Sequence, residues 1–368
     1  MVILGSDGPI DLANVEYVNP FEHLIFDWSE LNPSASLDRI SLKNRDQVSQ
    51  CPFDFLENLK TSTDMLADEL LISSSDKTQI IVACGNPKHI SDLKAAFGSV
   101  ARVKLVIAAQ LPVGFSTDLK TRVQWLKCAV ELGVQNSSCG VLGPVKIRSI
   151  DDMEILRVYA TAQAATFAPL IVELVASSAE VVVEALKTLE ESNAETSKIC
   201  FLNMRLGIET ILAKTDGFLG FSCPGFEMEY LDGSFEGLPT FTQYSEIAQL
   251  IHKVPHERVI ISTGMFFRSH FATFGGPGLG FARTVLEKKF PGFAHLVLRD
   301  NALKWLDFDW CPPTVEAVVK KQIWICNVCG KQGDDDVQNY TKLGFLYCSM
   351  PCLAAHRKTG FKQITKSS

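Results

Sequence analysis

No apolar run in this 368-residue chain approaches the roughly 20 residues needed to cross a bilayer. The longest, such as Phe167–Ala176, carries a glutamate. A cationic excess is missing as well: 35 Lys and Arg stand against 42 Asp and Glu, a formal charge of -7. Nothing about the whole chain therefore marks a nucleic-acid binder. The opening MVILGSDGPIDLANVEY has neither a basic n-region nor a long apolar stretch, which predicts no secretory signal. No GxGxxG follows the first apolar run, which weakens a dinucleotide reading. Internal repeats and long low-complexity tracts are absent too. What is present, 46% apolar and 21% charged residues, suits a large buried core and argues against disorder. The expectation is a soluble intracellular protein, cytoplasmic or nuclear, with its oligomeric state open.

The 11 cysteines are odd in number and unevenly placed. Cys51, Cys84, Cys128, Cys139, Cys200, Cys223 and Cys311 occur singly, most in apolar contexts where a free thiol behaves as a small hydrophobe. The other four form two doublets near the end. A secreted disulfide scaffold would spread its cysteines more densely through a shorter chain, so this pattern predicts a reducing compartment and one metal module.

Short apolar runs alternate with amphipathic stretches. Strands are expected at His23–Trp28, Gln79–Cys84, Lys104–Ala108, Cys139–Gly143, Leu170–Leu174, Ile199–Leu202, Gly217–Ser222 and Arg258–Ser262. Helical spacing separates them, as in Leu119–Leu132 and Ala179–Leu189. A further helix, Asp151–Phe167, starts behind Ser149 with acids in its first turn, where they suit the macrodipole. Eight strand–helix units predict an α/β fold, a (β/α)8 TIM-type barrel, with an open doubly wound sheet as the alternative. The domain expectation is a barrel over 1–309, a linker over 310–323 opened by Pro312-Pro313 with a short helix at Thr314–Gln322, a finger over 324–358 and a basic tail over 359–368.

The finger reads Cys326-Asn-Val-Cys329, eighteen residues, Cys348-Ser-Met-Pro-Cys352, three residues, His356. Two thiolate doublets match tetrahedral zinc, which needs two anchored turns converging on it. Gly330 suits the tight turn behind the first doublet, and the second is expected to open a helix running through His356. The wording Leu346-Phe-Leu-Tyr-Cys-Ser-Met-Pro-Cys-Leu-Ala-Ala-His-Arg resembles the second half of HIT-type and MYND-type zinc fingers. Those families carry eight ligands around two zinc ions. Here no Cys or His lies in Gly333–Lys342 and no Cys follows His356. The resemblance then implies one structural zinc on Cys326, Cys329, Cys348 and Cys352, with His356 left as packing, and a protein partner for the finger. Segment Trp324–Ser368 holds six Lys and Arg against three Asp, net +3, leaving -10 for the rest. That basic tail is the one feature that could take RNA or an acidic partner.

Several stretches of the first 308 residues resemble the phosphotriesterase-related branch of the amidohydrolase superfamily. Gly8-Pro9-Ile10 and Asn19-Pro-Phe-Glu-His-Leu24 are similar to its opening strand, which normally ends Thr-His-Glu-His. Cys139-Gly-Val-Leu-Gly143 with Ala162-Gln163-Ala164 resembles its fourth unit, and Ala168-Pro-Leu-Ile-Val-Glu173 its fifth strand. Val259-Ile-Ile-Ser-Thr263 with Phe274-Gly-Gly-Pro-Gly278 is similar to the eighth strand and its glycine loop, and Asp300–Leu306 to the closing helix.

That family's chemistry uses two divalent metals at the carboxyl ends of barrel strands. Carried over, its first-strand histidines fall on Phe21 and His23, and the bridging carboxylate on Pro144 or Val145. The fifth-strand and sixth-strand histidines fall on Glu173 and Phe201, and the eighth-strand aspartate on Gly264, after Thr263. Only His23 and Glu173 keep ligand chemistry, and a catalytic zinc wants three protein ligands. His23 then reads as a buried, hydrogen-bonded histidine, and Glu173 as a partner for His23 or Lys146 or as part of a remodelled pocket.

Other candidates have plainer readings. Cys223 reads as a turn cysteine, and Arg268, His270 and Gly275–Gly280 as a loop kept for its backbone shape. Pro255 separates His252 from His256, while His89 and His295 suit surface or helix positions. The leading expectation is a pseudoenzyme: a non-catalytic barrel that binds or scaffolds, joined to a single-zinc finger. The alternatives are an ester or lactone hydrolase around His23 and Glu173, and a zinc-finger adaptor for RNA or chromatin.

Overall fold

Alternation along the apolar runs sorts their side chains between two layers. In Thr78–Ala83, Ile80 and Val82 join an inner cluster with Val106, Val141, Ile171, Cys200 and Ile260, while Ile81 and Ala83 join an outer one packed under the helices. The structure, a computed structural model, describes the chain apart from residues 1, 13, 30–31, 42, 45–46, 49–50, 74–77, 113, 116–117, 176–177, 203–206, 223–227, 232–233, 238–253, 311–323, 326–331, 334–339, 343–344, 348 and 359–368. It divides into two units, 1–310 and 311–368.

The first unit holds one parallel sheet of eight strands in chain order. These are β1 (Val15–Glu22), β2 (Thr78–Ala83), β3 (Val103–Ala109), β4 (Cys139–Ile147), β5 (Leu170–Leu174), β6 (Ile199–Leu202), β7 (Phe218–Ser222) and β8 (Val259–Ser262). Helices α1 (Thr63–Ser73), α2 (Ile90–Gly98), α3 (Leu119–Glu131), α4 (Met153–Thr166), α5 (Ala179–Glu191) and α6 (Ile208–Lys214) follow successive strands. After β8 come α7 (Phe281–Lys289), α8 (Pro291–His295) and α9 (Asn301–Leu306). Local chemistry sets the helix starts. Asp118 caps α3 by accepting from Thr121 N at 2.8 Å, and a Ser149–Asp152 capping box stands ahead of α4.

The first strand differs from the expected His23–Trp28. It is Val15–Glu22, and the ladder to β2 shifts register between Asn19 and Glu22, across Pro20. An irregular ladder there tolerates a residue without an N–H. Gly8–Pro9 is not part of that strand either; it pairs with Leu4–Gly5 in a hairpin under the barrel floor, where Ser6 N donates to Leu105 O at 2.9 Å.

Side chains stitch the seam between β8 and β1. Glu22, fully buried, accepts from Ser262 Oγ at 2.5 Å, Gly264 N at 3.0 Å and Met265 N at 2.6 Å. Phe21 N donates to Ser262 Oγ at 3.3 Å, and His23 N to Met265 O at 2.9 Å. Asn19 Oδ1 takes the Tyr17 hydroxyl at 2.7 Å, while its amide donates to Leu279 O at 3.1 Å. At the opposite end Lys198 Nζ donates to the carbonyls of Lys304 and Asp307, capping α9.

The second unit is built from two small hairpins and a helix. Strands β9 (Trp324–Ile325) and β10 (Gln332–Gly333) pair antiparallel, as do β11 (Tyr340–Lys342) and β12 (Phe345–Tyr347); α10 (Met350–Lys358) follows. The expected helix at Thr314–Gln322 lies outside the described residues.

Candidate functional site

The carboxyl ends of the strands form the face where barrels place their chemistry. His23 leaves β1 there, its ring edge-on to Phe266 at 5.1 Å and to Trp28 at 6.2 Å. Trp28 in turn stacks on Phe26 at 4.3 Å and leans on Phe266 at 4.2 Å. Burial presses the His23 pKa down to about 4; the Lys146 charge adds to this, and a hydrogen bond to the Cys84 carbonyl opposes it. The imidazole is neutral at pH 7. Beside it the Cys84 thiol is buried and pushed well up, by burial first and by Glu22 and Glu173 next, so it is no nucleophile.

Glu173 pairs with Lys146, its direct neighbour across the β4–β5 ladder, at 3.5 Å. With side-chain exposures of 43% for Lys146 and 21% for Glu173, solvent screens the pair and its energetic weight is small. Among the described residues, the polar groups brought together at the mouth are thus His23, Lys146 and Glu173.

Two inward positions differ from the sequence reading. Val145 packs in the outer layer, so the inward residue at the end of β4 is Lys146, not Val145. Phe201 packs outward too, leaving Leu202 beside Cys200 on the inner face of β6. A slip of one residue exchanges the faces of a strand. Neither change restores a metal ligand, since a leucine replaces a phenylalanine and the lysine is held by Glu173.

The last-strand position is closed by shape. Gly264 has φ +72°, and a Cβ there would stand 2.7 Å from Ser222 Cβ. An aspartate would need a left-handed backbone and a shift of β7. Gly264→Asp is therefore expected to destabilise the barrel by about 2 kcal/mol or more and to recruit no metal. Thermal unfolding with and without added Zn²⁺ checks this; a metal-dependent rise in Tm would contradict it.

The loop after β8 keeps its polar groups for the protein. Arg268 pairs with Glu57 at 3.0 Å and lies 4.5 Å over the Phe274 ring. His270 is buried, and its Nδ1 accepts from Phe266 N at 3.1 Å; burial holds its pKa down to about 3. Glu69 on α1 accepts from Ala272 N at 2.7 Å and Leu279 N at 2.9 Å. A cleft of about 500 Å³ lies between α1 and α7, away from His23, with Tyr17, Gln79 and Arg283 among its walls. His89 and His295 sit beside Asp92 and Asp300, and His256 against Phe293. Cys223 and His252 lie outside the described residues.

Sequence reasoning passed over Glu22, Glu69 and Asn19, the buried polar groups that hold this face. An acid flanked by apolar residues at 21–24 was the available signal for Glu22.

In the second unit, Cys326, Cys329 and Cys348 lie outside the described residues. The elements around them are described. In chain order the first doublet falls between β9 and β10, Cys348 directly follows β12, and Cys352 is the third residue of α10. A hairpin, a second hairpin and a helix carrying a thiol in its first turn fit a thiolate-bound zinc. His356, 1% exposed, sets Nδ1 3.0 Å from the Tyr347 hydroxyl.

Comparison with known proteins agrees with both units. Residues 321–364 match the family model described as the Vms1-associating treble clef domain. A resiniferatoxin-binding protein from Rhodobacter sphaeroides superposes with TM-score 0.67 at 20% identity, covering 83% of this chain and 95% of that one. The phosphotriesterase homology protein of Escherichia coli gives TM-score 0.60 at 15% identity over 81% of this chain and 100% of that one. A lactonase from Listeria monocytogenes gives 0.58 at 13%, over 84% and 100%. At these identities the likeness is one of fold: a phosphotriesterase-like barrel followed by a treble clef, the zinc-binding fold. No curated protein matches the chain.

Proposed function

We propose that this chain is a non-catalytic phosphotriesterase-like barrel joined to a single-zinc treble clef, working as a binding or scaffold protein. The observation that carries this is the barrel mouth. Its one imidazole, His23, is neutral and enclosed by aromatic rings, and its one carboxylate with ligand chemistry, Glu173, faces Lys146. Gly264 leaves no room for a carboxylate where the family carries one. Zinc would be held by Cys326, Cys329, Cys348 and Cys352, and its chemistry there is structural, tying the two hairpins to α10.

A protein partner for the finger is supported by the matching domain's description as Vms1-associating. Arg357 and Lys358, exposed in the last turn of α10, give that surface a positive charge that favours an acidic partner face. The proposed boundaries are 1–309 for the barrel, 310–323 for a linker, 324–358 for the finger and 359–368 for a basic tail. Free thiols at Cys84, Cys139 and Cys200 suit a reducing, intracellular setting.

Turnover assays on aryl esters and lactones, with and without added Zn²⁺ or Mn²⁺, test the catalytic side of this reading. The expected rate is that of buffer, indifferent to metal. Turnover abolished by His23→Ala with unfolding unchanged would establish a hydrolase instead.

A further inference from the structure

His356 is the buried residue of an otherwise open helix. Ala354, Ala355, Arg357 and Lys358 on α10 are exposed, while His356 is 1% exposed. Its Nδ1 lies 3.0 Å from the Tyr347 hydroxyl, and the two rings meet edge-on at 5.8 Å. A buried imidazole has two nitrogens to satisfy. Tyr347 accounts for one. The direction of the other follows from the helix: residues four apart share a face, and helical side chains lean toward the amino end. From His356 that lean is toward Cys352, one turn earlier. Tyr347 itself immediately precedes Cys348. The pair therefore spans from the residue beside one thiol to the turn above another.

We propose that His356 is a positioning residue of the zinc site, donating its Nε2–H to a zinc-bound thiolate in the tautomer that Tyr347 sets. This rests on the four-cysteine reading above. Zinc with four thiolates is already four-coordinate, so the imidazole is not a fifth ligand. Such a cluster carries a formal charge of -2, and a neutral N–H donor in a buried position disperses part of it. The proton balance is simple: the Tyr347 O–H donates to Nδ1, which places the ring proton on Nε2, and no proton is transferred.

The test uses the full-length protein, with Co²⁺ in place of zinc as the spectroscopic probe and Zn²⁺ competition for affinity. His356→Ala is expected to weaken zinc about 10- to 100-fold, to keep one metal per chain, and to move the thiolate-to-cobalt charge-transfer band to lower energy. The ligand-field bands should keep a four-thiolate pattern. Tyr347→Phe retains the ring and should give a smaller change of the same sign, and His356→Gln, which can still present an N–H, should recover part of the affinity. A weaker site with an unmoved charge-transfer band would make His356 packing alone and overturn the inference. A changed ligand-field pattern would make it a ligand and overturn it too. If the native protein took up no metal, or kept it in Cys326→Ser, the four-cysteine reading itself would fall.

Discussion

Replacing Glu22 with alanine is expected to lower the stability of the barrel by about 3–5 kcal/mol. Glu22 is fully buried with no cation beside it, and three donors converge on its two oxygens: Ser262 Oγ, Gly264 N and Met265 N. These bonds join the end of β1 to the loop leaving β8. Alanine would leave the Gly264 and Met265 N–H groups without that acceptor, at a cost of about 1–3 kcal/mol for each buried donor. Glu22→Gln keeps one oxygen but turns an amide NH₂ toward a donor, so an intermediate loss follows. Glu173→Gln is the contrast. Its pair with Lys146 is partly exposed, and the expected change is below about 1 kcal/mol. Denaturant unfolding followed by tryptophan fluorescence reads all three, and a Glu22→Ala protein as stable as the native one would contradict the seam.

The pH dependence of this carboxylate has a definite sign. Burial pushes the Glu22 pKa up, and the hydrogen bonds from Ser262, Met265, Gly264 and Thr263 only partly oppose this. The folded state then holds the proton more tightly than the unfolded chain. Relative to the alanine variant, native stability is greatest below the ordinary carboxylate range and declines as pH rises through the raised value.

Seven of the eight barrel strands were legible as apolar runs, because a strand buried on both faces reads as continuous hydrophobicity. The first was not. Asn19 and Pro20 interrupt its run, and the register irregularity and side-chain stitching that accommodate them are long-range facts. Lys146 and Phe201 were placed one residue off for a related reason. In strands of four to nine residues, only the pairing register decides which face looks inward. Glu69 shows the same limit from another side: its donors, Ala272 and Leu279, lie 203 and 210 positions away. The finger was more readable, since the spacing of its thiols and the helix following Cys348 are local.

Removing zinc should have the other large effect. The described strands of the second unit are two or three residues long, too little to bury a self-sufficient core. Structural zinc contributes on the order of 10 kcal/mol to such modules. Chelation at pH 7 is expected to open residues 321–364 to proteolysis while the barrel's unfolding midpoint stays within a degree or so of its starting value. Cys352→Ser should do the same without chelator. A finger as protease-resistant with chelator as without it would show that no metal holds it together.

Counting metal ions in the purified full-length protein bears most directly on an empty barrel carrying a metal-bound finger. One zinc per native chain and none in a Cys326→Ser/Cys329→Ser protein is the expected result, with no second metal in either. Metal retained by the double variant would put ions in the barrel and contradict the reading of its mouth as non-catalytic.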